Sequence, residues 1–341
     1  MLSLSEIESA AAIVYAAMPP TAQYAWPLLA RRTGCETWVK HENHTPTGAF
    51  KVRGGLVYME RLRREARGPK GVISATRGNH GQSIALAAAR VGIPATIVVP
   101  HGNSVEKNAA MRAFGAELVE AGHDFDAARD VAQRLAAERG LDMVPSFHRD
   151  LVCGVATYAH ELFRAAPPLD TIYVPIGLGS GICGTIAVRD ALSPATRVVG
   201  VVSTEAPAYA LSFAAGKVVP TNSADTMADG IAVRGPHEEA LAVILKGADR
   251  IVQVSDAEVM AAMRAYYEDS HQLTEGAGAA ALAALLQERE RMKGRRVALV
   301  LSGGNIDRPL YRSVLEEGER QTSAVSAEPP APRRGRSSPP A

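Results

Sequence analysis

Short apolar segments rich in β-branched residues recur along the chain and alternate with segments of helical periodicity. Segments that are apolar throughout are typical of strands covered on both faces, as in a parallel sheet. The pattern predicts strands at residues 72–75, 95–99, 116–120, 171–175, 197–202, 251–254 and 297–301. It predicts helices after the first three of these, at residues 82–91, 105–114 and 124–139. The alternation indicates an α/β protein in three layers, with helices on both faces of open, mostly parallel sheets.

Composition narrows the class of protein only by exclusion. The 341 residues include 37 basic and 36 acidic side chains, so the net charge of +1 gives no reason to expect nucleic acid or a membrane as partner. The three cysteines, Cys35, Cys153 and Cys183, are far apart, which disfavours a disulfide framework or a zinc knuckle. The N-terminus lacks a basic cluster before an apolar stretch, so we predict no signal peptide and expect a cytoplasmic protein.

The C-terminal segment, residues 321–341, differs from the rest of the chain. It holds five of the 21 prolines, no aromatic residue and the basic cluster Arg333, Arg334 and Arg336. Such a segment has too little apolar surface to offset the loss of chain entropy, so we predict a disordered tail.

A glycine-rich loop, residues 177–184 (GLGSGICG), directly follows a predicted strand and precedes a helical stretch. Glycines let backbone N–H groups approach an anion, and the helix dipole favours phosphate there. Gly179, Gly181 and Gly184 also satisfy the spacing GxGxxG, with Glu205 about 20 residues further on, where a ribose-binding acid is expected. The loop therefore predicts a phosphate site, and a nicotinamide-dependent oxidoreductase is one interpretation of it. A tight turn that only packs helix on strand is another.

Two further loops carry reactive side chains. Residues 74–82 (SATRGNHGQ) offer Asn79 and His80 at a predicted helix N-terminus, and Arg77 could bind a carboxylate through two hydrogen bonds. Asn79 could equally cap the helix. Residues 41–53 (HENHTPTGAFKVR) contain Lys51, which would be a nucleophile if burial lowered its pKa and an ordinary surface lysine otherwise.

Four ordered motifs resemble one family when they are taken together. They are PTGAFKVRG, SATRGNHGQ, the glycine-rich loop and LSGGNID, and residues 226–233 and 274–280 look like further segments of it. From about residue 5 to residue 315 the chain resembles the serine/threonine dehydratases of the fold-type II (tryptophan synthase β-like) pyridoxal-phosphate enzymes. The oxidoreductase interpretation leaves three of the four motifs unexplained. A ligand-binding sensor on the same fold would not need to retain Lys51 and Ser302.

The resemblance implies a role for each matching residue. Lys51 would hold pyridoxal 5'-phosphate covalently and act as the catalytic base, and Phe50 would pack against the cofactor ring. Asn79 would bond the phenolic oxygen and Ser302 would contact the ring nitrogen. The phosphate would lie on the backbone of Gly177, Leu178, Gly179, Ser180 and Gly181. The substrate would be bound by Thr76, Arg77, Gly78 and His80.

The implied reaction is an α,β-elimination that converts a β-hydroxy-α-amino acid to a 2-oxo acid and ammonia. Threonine or serine is the default substrate, and a larger or acidic one such as 3-phenylserine, 3-hydroxyaspartate or a hydroxyectoine-derived compound is the alternative. Family members are commonly dimers, so we expect a homodimer. The length leaves little room for a C-terminal regulatory domain, which favours a catabolic enzyme.

The chain departs from the family pattern at two positions. Arg77 replaces the serine of relatives that racemise serine, and an arginine is a poor general base, so we predict no efficient racemase. Val202 stands where several relatives place a cation-binding glutamate, with Glu205 out of register, and His41 and His44 lack a third ligand nearby. We therefore predict no Mg²⁺ or Ca²⁺ site and no other metal site.

The motifs also predict two lobes around a cofactor cleft. Residues 1–60 and 149–320 would form a large cofactor-binding domain, and residues 61–148 would form a small domain that carries the Asn79 loop. Closure of the cleft would exclude water from the reacting carbon.

Overall fold

The structure, a computed structural model, describes residues 2–65 and 70–326. The strands are β1 Gln23–Ala25, β2 Glu36–His41, β3 Val72–Ala75, β4 Ala95–Val99, β5 Glu117–Glu120, β6 Asp142–Met143, β7 Thr171–Pro175, β8 Arg197–Ser203, β9 Arg250–Val254 and β10 Arg296–Leu301. The helices are α1 Leu4–Tyr15, α2 Pro27–Thr33, α3 Lys51–Arg63, α4 Asn79–Arg90, α5 Val105–Ala113, α6 Phe125–Arg139, α7 Arg149–Ala165, α8 Ser180–Leu192, α9 Ala208–Ala215, α10 Glu238–Gly247, α11 Asp256–Ser270, α12 Gly276–Gln287, α13 Arg289–Met292 and α14 Arg308–Ser326. Short 3₁₀ segments lie at Glu42–His44 and Asp229–Ile231.

The strands form two separate sheets. The larger one has the order β1-β2-β10-β7-β8-β9, and its strands are parallel except for the edge pair β1 and β2. The smaller one has the order β5-β4-β3-β6 and is parallel throughout. The predicted α/β fold with open, mostly parallel sheets is confirmed.

We call the six-stranded sheet with the helices packed on it the large lobe and the four-stranded sheet with its helices the small lobe, and helix α3 packs against both. Val52, Leu56 and Val57 on this helix share one buried apolar cluster with Ile84 of α4 and Ile97 of β4 in the small lobe. On its other side α3 packs against α7, whose residues belong to the core of the large lobe. The first residue of α3, Lys51, is thereby held between the two sheets. The domain limits at residues 60 and 148 stay a prediction.

The strands that the pattern missed are polar or short. Strand β2 contains Glu36, Lys40 and His41, and the last two are fully buried. An apolar run cannot reveal such a strand, because two of its buried side chains are polar: Lys40 pairs with Glu161 and His41 bonds to Trp26. Strand β1 is a three-residue edge strand, and β6 has two residues.

Two predicted boundaries were also displaced. Helix α4 begins at Asn79 rather than at residue 82. Helix α14 continues to Ser326, so the first six residues of the predicted tail are helical, and residues 327–341 lie outside the described residues. No helix among residues 2–65 and 70–326 is long and apolar enough to cross a membrane.

Candidate active site

The residues that the sequence predicts for the site line a single cavity of ≈ 940 Å³. Loops after β3, β7 and β10 meet the start of α3 there, so the cavity lies between strand C-termini of both sheets, where open α/β folds bind ligands. The predicted residues found in its lining are Phe50, Lys51, Thr76, Arg77, Gly78, Asn79, His80, Gly177, Leu178, Gly179, Ser180, Gly181 and Ser302.

Lys51 projects into this cavity from the first turn of α3. Its Nζ lies 5.3 Å from the centre of the Phe50 ring. Burial lowers the pKa of Lys51 to about 8, although the Glu275 carboxylate acts in the opposite direction. A substantial fraction of the amine is therefore unprotonated near neutral pH, as a nucleophile or base requires.

The Lys51 and Ser302 segments are bonded to each other. The backbone N–H of Phe50 donates to the carbonyl of Ser302 at 3.0 Å, and that of Gly304 donates to the carbonyl of Gly48 at 2.9 Å. Ser302, at the end of β10, is buried and presents a neutral hydroxyl to the cavity. The backbone thus holds amine and hydroxyl in one place although they are far apart in sequence.

The glycine-rich loop leaves room for an anion at the start of α8. Gly179 has a φ of 102°, and a Cβ there would lie 2.7 Å from the Cβ of Ala240. Tyr209 donates from its hydroxyl to the carbonyl of Leu178 at 2.9 Å and accepts from the N–H of His237 at 3.1 Å. The Leu178 carbonyl is thereby tied to Tyr209, and the amides at the helix N-terminus can face a phosphate.

Asn79 is the first residue of α4 and does not cap the helix, because the N-cap position is occupied by Gly78. Its amide instead bonds to Glu275, which lines the cavity, and to Asn305. Its Nδ2 donates to Oε1 of Glu275 at 2.6 Å, and its Oδ1 accepts from Nδ2 of Asn305 at 2.8 Å. The amide orientation is therefore set by partners on the large lobe.

Three residues of the Asn79 loop have different roles at the cavity, namely Thr76, Arg77 and His80. The Thr76 hydroxyl accepts from the N–H groups of Gly78 and Gly81 at 3.0 and 3.3 Å and so stabilises the loop itself. His80 is buried with its Nε2 unpartnered among the described residues, and burial together with Lys51 lowers its pKa to about 3. A neutral imidazole with a free nitrogen fits a bound ligand. Arg77 is exposed at the cavity mouth.

Charged residues that sequence reasoning did not assign also line the cavity. They are Lys107, Asp124, Asp126, Arg129, Asp225, Asp229, Arg234 and Glu275. At the mouth, Arg234 and Arg129 both pair with Asp126. Asp229 and Glu275 lie in residues 226–233 and 274–280, the two segments that resembled the family but were given no role. That resemblance could have identified both residues as site residues, whereas nothing in the sequence marked Lys107.

No group of three or more histidine, cysteine or acidic side chains that could hold a metal ion was found in the described part of the chain. Val202 is buried in β8, and His41 and His44 stack on each other with ring centres 4.8 Å apart. The absence of a metal site stays a prediction.

The cavity has the features of a site that holds a phosphorylated cofactor on a lysine. It combines an amine of lowered pKa, a glycine-lined helix N-terminus into which a side chain would not fit, and the unpartnered His80 nitrogen. The fold and site together define an α/β enzyme of this class. The chain belongs to the family of pyridoxal-phosphate dependent enzymes, which matches it over residues 15–303, and pyridoxal phosphate is its cofactor. The nicotinamide interpretation of the glycine spacing is thus superseded.

Similar proteins include two named as ammonia-lyases and one named as a racemase. The L-threonine ammonia-lyase of Thermotoga maritima is 33% identical over 93% of this chain and 79% of its own length. The L-threo-3-hydroxyaspartate ammonia-lyase of Saccharomyces cerevisiae is 33% identical over 86% of this chain and 90% of its own. Maize serine racemase superimposes with a TM-score of 0.85 at 27% identity, covering 94% of this chain and 99% of that one.

Proposed function

We propose that this protein is a pyridoxal-phosphate dependent ammonia-lyase that converts a β-hydroxy-α-amino acid to a 2-oxo acid and ammonia. The observation that carries the proposal is the position of Lys51, whose amine of lowered pKa shares one cavity with the glycine-lined N-terminus of α8 and with Asn79. The similarity to lyases named for threonine and 3-hydroxyaspartate supports the reaction class.

We assign the cofactor contacts as follows. Lys51 binds the cofactor covalently, Phe50 packs on its ring, and Asn79 and Ser302 contact the phenolic oxygen and the ring nitrogen. The phosphate is held by the backbone of Gly177, Leu178, Gly179, Ser180 and Gly181. These assignments agree with the cavity lining and with the helix N-terminus at Ser180.

The chain's own residues supply binding and proton transfer. When bound, pyridoxal phosphate supplies an electron sink for the charge that develops at the substrate α-carbon. The unprotonated form of Lys51 Nζ, which predominates above the pKa of about 8, accepts the α-proton. The loop of Thr76, Gly78 and His80 offers the hydroxyl proton of Thr76 and a neutral imidazole to the substrate carboxylate, while the N–H groups of Thr76 and Gly78 are bonded within the protein. The β-hydroxyl takes up a proton and leaves as water, and hydrolysis of the released unsaturated amine by water gives the 2-oxo acid and ammonia.

The substrate side chain is the open part of the proposal. A cavity of ≈ 940 Å³ accommodates a substrate larger than threonine, and Arg77 stands at its mouth beside the ion pairs of Asp126. Arg77 would bind a carboxylate or shape the side-chain pocket. The function is tested by adding L-serine, L-threonine, L-threo-3-hydroxyaspartate and 3-phenylserine to the protein and measuring 2-oxo acid and ammonia. If none releases both products, the proposed reaction is wrong.

The variant Arg77→Ala should weaken binding of an acidic substrate more than binding of a neutral one. A lost charge-assisted hydrogen bond of about 1.5–3 kcal/mol should raise KM for 3-hydroxyaspartate about 10- to 100-fold, with a smaller change for threonine. Steady-state kinetics on both substrates measure this difference. Arg112→Ala, at a surface pair with Glu120 outside the cavity lining, is the matched control. An unchanged KM and unchanged substrate preference would show that Arg77 does not bind substrate.

Cofactor uptake by protein freed of cofactor should depend on pH through Lys51. Only the unprotonated amine attacks the cofactor carbonyl, and a pKa of about 8 means that this fraction rises as the pH increases from 7 to 9. The bimolecular rate should therefore rise about tenfold over this range and then level off. Growth of the visible cofactor band in a stopped-flow instrument measures it. A rate that continued to rise above pH 10, as for a free lysine, would contradict the lowered pKa.

We further propose a homodimer in the cytoplasm, as the sequence predicts. Sedimentation equilibrium of the purified chain tests the oligomeric state.

A further inference from the structure

We propose that Glu275 is a positioning residue that couples closure of the two lobes to the orientation of the Asn79 amide. The proposal rests on the proposed function in one respect, since Asn79 must contact the bound cofactor. It adds a role for a cluster of Glu275, Lys107 and Asp229 that the reaction itself leaves unused. We call these three residues the cleft cluster.

The orientation of Asn79 follows from a chain of hydrogen bonds that starts at a backbone carbonyl. The Thr47 carbonyl can only accept, so it fixes Nδ2 of Asn305, which donates to it at 2.7 Å. The same nitrogen donates to Oδ1 of Asn79 at 2.8 Å, and Nδ2 of Asn79 then faces Oε1 of Glu275 at 2.6 Å. An amide nitrogen carries two hydrogens, so one remains for the cavity. Reversing the Asn79 amide would set donor against donor at Asn305.

Glu275 is itself held rigidly on the large lobe. Its backbone N–H donates to the carbonyl of Gly303 at 3.1 Å, and α12 begins at the next residue. A Cβ on Gly303 would lie only 2.5 Å from Oε1 of Glu275, so the carboxyl group packs directly on the segment that follows Ser302. Its position therefore changes only if the large lobe itself is disturbed.

Lys107 reaches the other carboxylate oxygen from the small lobe. Its Nζ is 3.6 Å from Oε2 of Glu275 and 2.5 Å from the Asp229 carboxylate, and its side chain is almost fully buried. A Cβ on Gly78 would lie 2.5 Å from Cδ of Lys107, so the lysine passes directly beneath the Asn79 loop. Lys107 can occupy this place only while α5 is docked on the large lobe. Ser104, at the N-cap of α5, supports that docking through its hydroxyl, which donates to Asp307 at 2.5 Å.

Glu275 faces a hydrogen-bond donor at one carboxylate oxygen and a cation at the other. Asn79 Nδ2 donates to Oε1, whereas Lys107 Nζ donates to Asp229 and acts on Oε2 through its charge, at 3.6 Å. An ionised carboxylate offers two acceptors, whereas a protonated carboxyl group offers a donor in place of one of them. The charged groups that face Glu275 are Lys107, Asp229 and Lys51.

The protonation state of Glu275 is balanced near neutral pH. Burial raises the pKa of Glu275 to about 7, and the Lys107 ammonium acts against that rise. Burial in the closed cleft favours the protonated form, and the Lys107 ammonium that α5 brings to Oε2 offsets this. Docking of Lys107 therefore keeps Glu275 an anionic acceptor for the Asn79 amide in the closed cleft, which links cofactor-ring contact to closure.

Glu275→Gln tests, in the full chain, whether Asn79 needs an anionic acceptor whose charge is balanced by Lys107. A glutamine whose oxygen faces Lys107 turns its NH₂ group towards the Asn79 nitrogen, so the Asn79 amide is displaced. We expect the dissociation constant for pyridoxal phosphate, measured by titrating the visible band, to rise at least tenfold, and the band maximum to shift. In Glu275→Gln with Lys107→Met, the glutamine oxygen is free to face Asn79, so affinity should recover relative to Glu275→Gln alone.

The control is Glu288→Gln, which removes a partly buried carboxylate bonded to Tyr173 and Arg250 outside the cavity lining. It should leave cofactor affinity and the band unchanged. If Glu275→Gln does not fold, Lys107→Met alone tests the coupling. Removing the Lys107 charge should raise the pKa of Glu275, so the pH at which cofactor affinity is half-maximal should rise. If cofactor affinity depends on pH in the same way in Lys107→Met and in the wild type, the proposed coupling is wrong.

The outcomes also separate this inference from the proposed function. If the wild type takes up cofactor and releases a 2-oxo acid while Glu275→Gln matches it in affinity and band position, the inference is overturned and the function stands. The inference is also overturned if the double variant binds the cofactor no more tightly than Glu275→Gln. A wild type that takes up no cofactor would overturn both.

Discussion

Lys51→Ala is expected to yield a folded, colourless protein whose turnover is lowered about 10³-fold or more. The reason is that one amine serves two purposes, since it binds the cofactor covalently and accepts the α-proton. Loss of a positioned acid or base alone costs about 10²- to 10⁴-fold. The measurements are the visible absorbance of the purified protein and 2-oxo acid release under saturating substrate, with circular dichroism to establish folding.

Lys293→Ala is the matched control for this experiment, because Lys293 is exposed and lies outside the cavity lining. It should be yellow and fully active. Added small primary amines should restore part of the turnover of Lys51→Ala, since they replace the missing base but not its tethering. Retention of the visible band and of turnover in Lys51→Ala would refute the assignment of Lys51.

Arg53→Met is expected to destabilise the folded state by about 3–5 kcal/mol, the usual cost of removing one partner from a buried ion-pair network. Arg53 is fully buried and donates from Nε to Glu42 at 2.7 Å and from Nη1 to Glu161 at 2.6 Å. Lys40, also fully buried, donates to Glu161 at 2.6 Å. Without Arg53, two buried carboxylates would share one cation. The free energy of unfolding from urea titration measures the effect.

Arg112→Met provides the comparison at the surface, where its pair with Glu120 is half exposed. An exposed pair contributes about 0–1 kcal/mol, so this variant should unfold at nearly the wild-type urea concentration. A loss below about 1 kcal/mol in Arg53→Met would show that the buried network tolerates removal of its central cation, contrary to the expected cost.

The Arg53 network has a consequence for the active site. Arg53 lies two residues after Lys51 on α3, and its partners Glu42 and Glu161 lie before that helix and on α7. The network therefore fixes the first turn of α3, from which Lys51 projects, against the large lobe. We expect Arg53→Met to affect cofactor retention as well as stability.

Much of the fold was accessible from the apolar pattern. Strands β3, β4, β7, β8, β9 and β10 were predicted within one or two residues, because a strand covered on both faces must be apolar along its length. The same reasoning did not predict strand β2, since its buried residues include Lys40 and His41, which bond to Glu161 and Trp26. The pattern also could not assign the strands to two sheets, because strand order depends on pairing and not on local sequence.

The sequence by itself determined the chemistry available to this protein. The predicted site residues lie on loops after parallel strands or at helix starts, and strand C-termini of parallel sheets converge, so the loop motifs identified part of the cavity lining but not its charged residues. Only the tertiary structure decided how these groups are tuned. Lys51 acquires its lowered pKa from burial, and Glu275, Asn79 and Lys107 meet because segments far apart in sequence pack against each other between the two sheets. Burial and through-space charge are properties of neighbours in space, which no local pattern of residues records.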